Sequence, residues 1–151
     1  MNKYICLYIS AMEYLSNKIN VYTNSEPFEY KKRKEEKDRL AESTKIRLKH
    51  SDRLPIICEV LPSSRHALKL ESSKYLVQKN ITVSQFMHVL RRKIQLGAEQ
   101  AIFILTEQGT LPTISHSMLD VYNNYKNPDG FLYLSVAVEN TFGAQDTYVR
   151  R

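Results

Sequence analysis

The stretch Phe131-Leu132-Tyr133-Leu134-Ser135-Val136-Ala137-Val138 decides the fold, because its alternating side chains are largely apolar on both faces of a strand. The even positions are all aliphatic and form a core face: Leu132, Leu134, Val136 and Val138. The odd positions begin with two aromatic residues, Phe131 and Tyr133, which need a second cover. We therefore predict a central strand with a layer packed on each side, and the charged N-terminal helical segment is the element available to cover the odd face.

Three further strands precede this stretch. Short runs rich in β-branched and apolar residues predict strands at residues 56–60, 74–77 and 101–105. The middle strand has two different faces, with Tyr75 and Val77 on one side and Lys74 and Leu76 on the other. Residues 62–70 are too few for a crossover helix, so the first two strands are expected to pair directly.

Two capped amphipathic segments predict helices between the strands. Thr82 and Gln85 form a capping-box pattern before apolar residues at helical spacing, and Gly97 is predicted to end this helix. Ser115 is predicted to cap a second helix, which stops before the turn Asn127-Pro128-Asp129-Gly130. The order strand, strand, long helix, strand, short helix, strand predicts an α+β fold of the β-grasp type, a mixed four-stranded sheet around one helix.

Residues 29–49 are crowded with charge and have few apolar side chains. Leu40, Ile46 and Leu48 are too sparse for a buried helix, so a surface helix or helix pair is predicted. Opposite charges three or four residues apart predict ion pairs along it, which are Lys31/Glu35, Lys34/Asp38 and Glu35/Arg39.

Length and composition limit the class of protein. The chain has 151 residues, which is one domain by the usual size range, and 22 Lys and Arg against 16 Asp and Glu give a net charge of +6. A basic domain favours anionic partners, but charge alone does not choose among peptides, lipid headgroups and nucleic acid.

The two cysteines, Cys6 and Cys58, favour a reducing compartment. Glu13 ends a short N-terminal apolar run with no cleavage site after it, so residues 1–25 are interpreted as a flexible extension.

No motif in the sequence points to catalysis. The four histidines fall into no ligand-like pair, and a phosphate-binding glycine loop is absent, so we expect no enzyme activity, no metal and no cofactor. Cys58 lies in a predicted strand and is expected to be a buried, inert thiol. Gly143, after the last strand, is the informative glycine because glycine is scarce, with only four in the chain.

Seven segments in order resemble the signature segments of the autophagy ubiquitin-like modifiers, the lipid-conjugated family that includes the GABA-receptor-associated proteins. They are Pro27-Phe28-Glu29, Asp52-Arg53-Leu54-Pro55-Ile56-Ile57-Cys58-Glu59, Lys74-Tyr75-Leu76-Val77, Thr82-Val83-Ser84-Gln85-Phe86, Ala101-Ile102-Phe103-Ile104, Asp129-Gly130-Phe131-Leu132-Tyr133 and Glu139-Asn140-Thr141-Phe142-Gly143. The resemblance implies a β-grasp, ubiquitin-like fold with two extra N-terminal helices over residues 26–143. It also implies a protein of the cytoplasm that lies on the autophagosome membrane when lipidated.

The resemblance implies a covalent role for the C-terminal glycine. A cysteine protease is expected to remove residues 144–151, after which activating and conjugating enzymes join Gly143 to phosphatidylethanolamine. Glycine suits this chemistry because it has no side chain to obstruct a narrow active site, and Phe142 offers an aromatic anchor before it. Two acyl chains hold a domain stably on a membrane, whereas one does not.

The resemblance also implies recognition of short aromatic-x-x-aliphatic motifs in cargo receptors at the edge of the strand 74–77. The aromatic pocket is expected to be lined by Ile46, Pro55, Lys74, Leu76 and Phe131. The aliphatic pocket is expected to use Tyr75, Val77, Ile81, Phe86 and Val89, although plain core packing explains Phe86 and Val89 equally well. Arg53, Lys74 and Lys93 form a charged rim for acidic residues that flank such motifs.

Two alternatives remain open from the residues. A modifier of this kind could be conjugated to protein lysines instead of a lipid. A chain of another class would be a basic β-grasp module that binds microtubules or nucleic acid by charge, with Arg91-Arg92-Lys93 as its main support. The helix dipole already accounts for that basic triplet, and the resemblance implies no specific nucleic acid partner.

Overall fold

The computed structural model describes residues 28–62 and 68–140 of the chain. In chain order the elements are helices α1 (Glu29–Arg33) and α2 (Glu36–Lys49), strands β1 (Arg53–Val60) and β2 (Lys74–Gln78), helix α3 (Val83–Ile94), strand β3 (Gln100–Thr106), helix α4 (Met118–Tyr125) and strand β4 (Leu132–Asn140). The predicted order and the two N-terminal helices are confirmed. The predicted extension 1–25 and the predicted tail 144–151 lie outside the described residues. No helix in the described ranges is long and apolar enough to cross a bilayer.

The four strands form one mixed sheet in the order β2-β1-β4-β3. The two central strands, β1 and β4, run parallel, and β2 and β3 pair antiparallel with them on the outside. β1 begins at Arg53, earlier than predicted, because Leu54 and Pro55 already pair with Val77 and Leu76 of β2. The mixed four-stranded sheet of the β-grasp fold is therefore confirmed.

The main core lies between the sheet and helices α3 and α4. Its sheet side is built from buried even-numbered positions: Leu54, Ile56, Cys58, Leu132, Leu134 and Val136. Helix α3 covers them with Val83, Phe86 and Leu90, and its start has the predicted capping box between Thr82 and Gln85. The alternation that was read from β4 thus identifies its core face correctly.

Two helix boundaries differ from the prediction. Helix α3 ends at Ile94 because Gln95, not Gly97, adopts the left-handed conformation with φ of 56°. Helix α4 is capped by Ser117, whose side chain accepts a hydrogen bond from the backbone N–H of Asp120, and not by Ser115. Both differences move an end by only two residues, because several polar residues that can terminate a helix stand close together at each end.

The odd face of β4 is covered by the N-terminal helices, as predicted. Tyr30, Ile57, Phe131 and Tyr133 form a second buried cluster, and Phe28 and Ile46 pack against it. The rings meet edge to face, with centroids 5.0 Å apart for Phe28 and Tyr133 and 5.4 Å apart for Tyr30 and Phe131. The side chains of Leu40 and Leu48 point to solvent, so the helical arm has the thin apolar face that its sequence indicates.

Asp129 attaches this arm from within the protein. Its carboxylate is fully buried and accepts hydrogen bonds from Arg39 Nε at 2.7 Å, from the Tyr133 hydroxyl at 2.6 Å and from the Phe131 N–H at 3.0 Å. The Ser43 hydroxyl donates to the Asp129 carbonyl oxygen. Helix α2 is therefore bonded at two successive turns to the loop that leads into β4.

The predicted ion pairs along the arm are wrong. Arg39 pairs with Asp129, Lys31 with Glu107 and Lys34 with Glu42, instead of with the neighbours expected from a continuous helix. For Lys31/Glu35 and Lys34/Asp38 the reason is the break between α1 and α2, because the chain is extended at Lys34 and Glu35 and helical spacing does not hold across it. Arg39 follows the break, and its guanidinium group instead pairs with the buried Asp129 carboxylate. The charges instead bind side chains that the tertiary fold brings to them.

Glu42 on helix α2 attaches the arm to the sheet edge. Its carboxylate accepts hydrogen bonds from the Tyr30 hydroxyl and from the ammonium groups of Lys34 and Lys74. Partial burial alone raises the pKa of Glu42, but these three hydrogen bonds outweigh it and lower the pKa to about 2 from an ordinary value of 4.5. The folded protein therefore favours the charged form of this carboxyl group.

We expect Gly130→Ala to destabilise the fold by about 2–4 kcal/mol. Gly130 has a φ of +85°, and a Cβ atom there would overlap the Ser43 side chain, which donates to the Asp129 carbonyl. Gly97→Ala is the matched control, since a Cβ atom at that position meets nothing closer than 3.7 Å. Urea unfolding of both variants measures the difference, and equal midpoints for the two would contradict this account.

We expect the contribution of Glu42 to stability to disappear in acid. Because its folded pKa is depressed, this contribution is complete above about pH 4.5 and is lost as the pH falls toward about 2. Glu42→Gln should therefore lose less stability than the wild type between about pH 6 and about pH 3 in urea unfolding. Glu36→Gln, on the exposed side of the same helix, removes the same charge and should keep the wild-type acid dependence.

Candidate functional site

Strand β2 is an edge strand, paired only with β1 among the described residues. Two hydrogen bonds just beyond its ends show which alternate residues of β2 bond to β1. The Cys58 N–H donates to the Ser73 carbonyl at 2.7 Å, and the Lys79 N–H donates to the Asp52 carbonyl at 3.3 Å. Odd-numbered residues of β2 therefore bond to β1. The backbone groups of the even-numbered residues, Lys74, Leu76 and Gln78, are directed to the open edge. This edge can accept another strand.

Pro55 fits this central strand without loss of a hydrogen bond. On the β2 side it lies opposite Leu76, at a position where the two strands exchange no hydrogen bonds. On the β4 side the pairing starts only with Ile56 and Leu132, so Pro55 stands before the first paired residue. A proline is tolerated in a sheet only where its missing N–H has no partner to bond. The side chain is buried, so Pro55 stiffens the strand beneath the edge without reaching solvent.

The residues predicted for the aliphatic pocket lie together where β2 meets α3. Val77 and Phe86 are buried in the core, and the Tyr75 ring packs edge to face on Phe86 with centroids 6.0 Å apart. Val89 is 42% exposed, and Ile81 is half-buried beside the same cluster. The surface of this region is therefore formed by Tyr75, Ile81 and Val89, with the two core residues beneath it.

The residues predicted for the aromatic pocket lie on the opposite face, next to the helical arm. Leu76 is 37% exposed, Lys74 is exposed and Ile46 is half-buried. Phe131 is fully buried and packs against the Tyr30 ring, so it lies beneath the surface that Lys74 and Leu76 form on this face.

Two residues that shape this face were missed by the sequence analysis. Tyr30 covers Phe131, and Glu42 holds both the Tyr30 hydroxyl and the Lys74 ammonium group. Tyr30 directly follows Pro27-Phe28-Glu29, one of the segments that carry the family resemblance, and its position there could have identified it. Glu42 had no such signal, since its partner Lys74 lies 32 positions away in the chain.

The predicted rim charges are partly engaged within the protein. Lys74 pairs with Glu42, and Lys93 places its ammonium group 5.2 Å from the centre of the Tyr75 ring. Arg53 lies 3.8 Å from the Asp52 carboxylate and has Nη1 3.5 Å from the Leu76 carbonyl oxygen on the open edge. Arg53 is therefore the rim cation that touches the backbone a docking strand would use.

The basic triplet at the end of α3 has a structural role in part. Arg91 donates to the carbonyl oxygens of Gly97 and Gln100 and so fastens the link to β3.

Burial raises the pKa of the Cys58 thiol, as expected for an inert core cysteine. Within residues 28–62 and 68–140, no group of three or more His, Cys, Asp or Glu residues could hold a metal ion.

The predicted conjugation residues, Phe142 and Gly143, lie outside the described residues. Strand β4 runs to Asn140, three positions before Gly143. Because β4 is parallel to β1, this end of the sheet is the end at which β1 reaches Val60. Strand β4 therefore ends at the end of the sheet opposite the turn that joins α2 to β1.

Comparisons with known proteins agree with this architecture. Autophagy-related protein 8 of Colletotrichum lindemuthianum is 40% identical over 126 residues, which cover 83% of this chain and 96% of the relative. The crystal structure of Trypanosoma brucei ATG8 is 41% identical, with a TM-score of 0.71, and the match covers 78% of this chain and all of that chain.

A third relative was solved with a ligand. The structure of Plasmodium falciparum Atg8 in complex with a P. falciparum Atg3 peptide is 29% identical, has a TM-score of 0.65, and covers 74% of this chain and 96% of that chain. The family model described as "Autophagy protein Atg8 ubiquitin like" matches residues 38–143, which include the whole sheet and the predicted conjugation site. The chain belongs to the Atg8 family of ubiquitin-like autophagy proteins.

Proposed function

We propose that this chain is an autophagy modifier conjugated through Gly143 to phosphatidylethanolamine, and that the edge of β2 binds aromatic-x-x-aliphatic peptide motifs. The observation that carries the docking proposal is the edge of β2, which no other strand covers among the described residues and which has an exposed apolar residue on each face of the sheet. Leu76 lies on β2 itself, on the side of the arm, and Val89 lies on α3, on the opposite side. Single exposed apolar residues are common, but these two lie on the two sides of the same open strand.

The spacing of the motif fits the two faces of this edge. Side chains of an extended peptide alternate, so positions one and four of a motif point to opposite sides. The aromatic residue is therefore directed to the Leu76 side and the aliphatic residue to the side of Tyr75 and Val89. The backbone groups of Lys74, Leu76 and Gln78 supply the hydrogen bonds that an added strand needs.

The conjugation proposal rests on the family and on the course of the chain. Cleavage of the Gly143–Ala144 peptide bond frees a carboxyl group, which is then activated at the expense of ATP and forms an amide with the lipid amine. Gly143 follows Asn140, the last residue of β4, by three positions, and we propose that it reaches the active sites of the processing protease and the conjugation enzymes. The peptide bound to the Plasmodium relative supports the proposal that a conjugating enzyme also binds this chain.

This function places the protein in the cytoplasm and, once lipidated, on autophagosome membranes, where it recruits cargo receptors. We propose it as a modifier with no catalytic activity of its own. The alternative, a basic module for microtubules or nucleic acid, has lost part of its support, because Arg91 bonds to backbone carbonyls and Lys93 lies over Tyr75. Conjugation to protein lysines and conjugation to a lipid are distinguished by mass spectrometry, because the chain gains the mass of a protein in the first case and of a lipid in the second.

We expect Gly143→Ala to abolish lipid attachment and to leave peptide binding unchanged. A methyl group on Cα, next to the reacting carbonyl carbon, hinders passage through the narrow active sites of the enzymes, and position 143 is not part of β2. Mass spectrometry of the C-terminal peptide from cells measures the first effect, with phosphatidylethanolamine on Gly143 in the wild type alone. An intact Arg151 terminus in the wild type would contradict the proposal, and a loss of both functions in the variant would indicate misfolding.

We expect Leu76→Glu and Val89→Glu each to weaken binding of an aromatic-x-x-aliphatic peptide by roughly tenfold to a hundredfold. Each change places a charge where an apolar anchor is proposed to bury. Ile114→Glu is the matched control, because Ile114 is also exposed, at 58%, but lies outside the β2 edge. Calorimetric titration of the three variants tests the site, and equal affinities in all of them would exclude docking at this edge.

A further inference from the structure

A cleft of about 360 Å³ lies between helices α2 and α4, at the end of the sheet where β1 begins. Leu54 and Tyr122 contribute to its apolar wall, and the Tyr122 hydroxyl is held by the Gly130 carbonyl oxygen at 2.6 Å. Thr44, Ser51 and Asn123 contribute polar side chains. The function proposed above makes no use of this cleft.

Among the residues that the structure describes, four cationic side chains line this cleft and no acidic side chain does. They are Arg47, Arg53, Lys79 and Lys126. Asp52 contacts Arg53 at 3.8 Å, whereas no ion pair is formed by the other three among residues 28–62 and 68–140. Like charges at one site repel each other, so such a group does not serve the stability of the fold. Its arrangement instead suits an anion with more than one negative charge.

The cleft continues the open edge of β2. Lys79 follows Gln78, the last residue of β2, and Arg53 lines the cleft while its Nη1 lies 3.5 Å from the Leu76 carbonyl oxygen on that edge. The proposed aromatic pocket includes Lys74 and the aliphatic pocket extends to Ile81, so a bound motif runs in the direction of β2. Residues that follow its aliphatic position therefore leave the edge beside the cleft.

The cleft and the end of β4 lie at opposite ends of the sheet. The cleft lies where β1 begins, whereas β4 ends at Asn140 beside the end of β1. The nine residues of β4 span about 30 Å. If the membrane carries Gly143, its headgroups lie nearer the end of β4 than the cleft, which favours an anion supplied by a peptide partner.

We propose that this cleft binds a phosphorylated side chain of the partner peptide, about three to five residues after its aliphatic anchor. The inference rests on the docking function proposed above and adds the chemistry of the partner. A phosphate group carries nearly two negative charges and several acceptor oxygens, which match two arginines and two lysines better than one carboxylate does. Arg47 on α2 and Lys126, which follows the last residue of α4, would bind it from the two sides of the cleft.

The test compares one peptide in two forms, with serine or phosphoserine at the fourth position after the aliphatic residue of an aromatic-x-x-aliphatic motif. We expect phosphorylation to increase affinity for the wild-type chain by roughly tenfold or more. The double variant Arg47→Ala/Lys126→Ala should lose this gain and keep its affinity for the serine peptide. Lys45→Ala/Lys49→Ala removes two exposed cations from α2 outside the cleft lining and should keep the gain.

The outcomes separate this inference from the docking function. If the serine peptide binds and phosphorylation adds nothing, or if both double variants lose the gain equally, the cleft assignment is wrong and docking stands. If neither peptide binds the wild type, docking and the cleft assignment both fail. The last measurement is binding of the chain to vesicles with and without phosphoinositide. If the wild type and Lys45→Ala/Lys49→Ala bind the phosphoinositide vesicles and Arg47→Ala/Lys126→Ala does not, the cleft is assigned to a lipid headgroup and the peptide proposal is overturned.

Discussion

The buried carboxylate of Asp129 is the constraint on which the two-layered covering of the sheet depends. An ionised carboxylate with no solvent access costs several kcal/mol unless donors surround it. Here the donors come from helix α2, from β4 and from the backbone at Phe131, so the charge is satisfied only when the arm lies on the sheet. Burial and the hydrogen bond to Asp129 raise the pKa of Tyr133, which therefore remains a donor.

This attachment also determines what the β2 edge presents to a ligand. Because α2 is fixed by Asp129, its Glu42 lies beside β2 and binds Lys74 and Tyr30. The arm thus buries Phe131 on the aromatic side, whereas Val89 on the aliphatic side is 42% exposed. The two halves of the proposed docking site therefore differ in burial, because Phe131 lies beneath the arm and Val89 lies at the surface.

The sequence predicts those features that depend on local periodicity. The alternation of Leu132, Leu134 and Val136, the aromatic odd face and the Thr82 capping box all lie within a few residues, and each was confirmed. Ion pairs depend on tertiary contacts instead, so the partner of Arg39 could not be found from its neighbours: Asp129 lies 90 positions away. Phe131 shows the same limit of prediction from local sequence. The face of the strand on which it lies was predictable, but its complete burial against Tyr30 was not.

The parallel pairing of β1 and β4 gives the molecule two different ends. Since both strands run in one direction, the turn before β1 and the end of β4 lie at opposite ends of the sheet, whatever the side chains are. Under the proposed function, a modifier attached through the residues after β4 would hold the turn before β1 at the end of the sheet away from its attachment point. The cationic cleft lies at that end, and β2 pairs with the first residues of β1 beside it. A partner docked along β2 would then contact the cleft while the chain stays attached to a surface, without any rearrangement of the sheet.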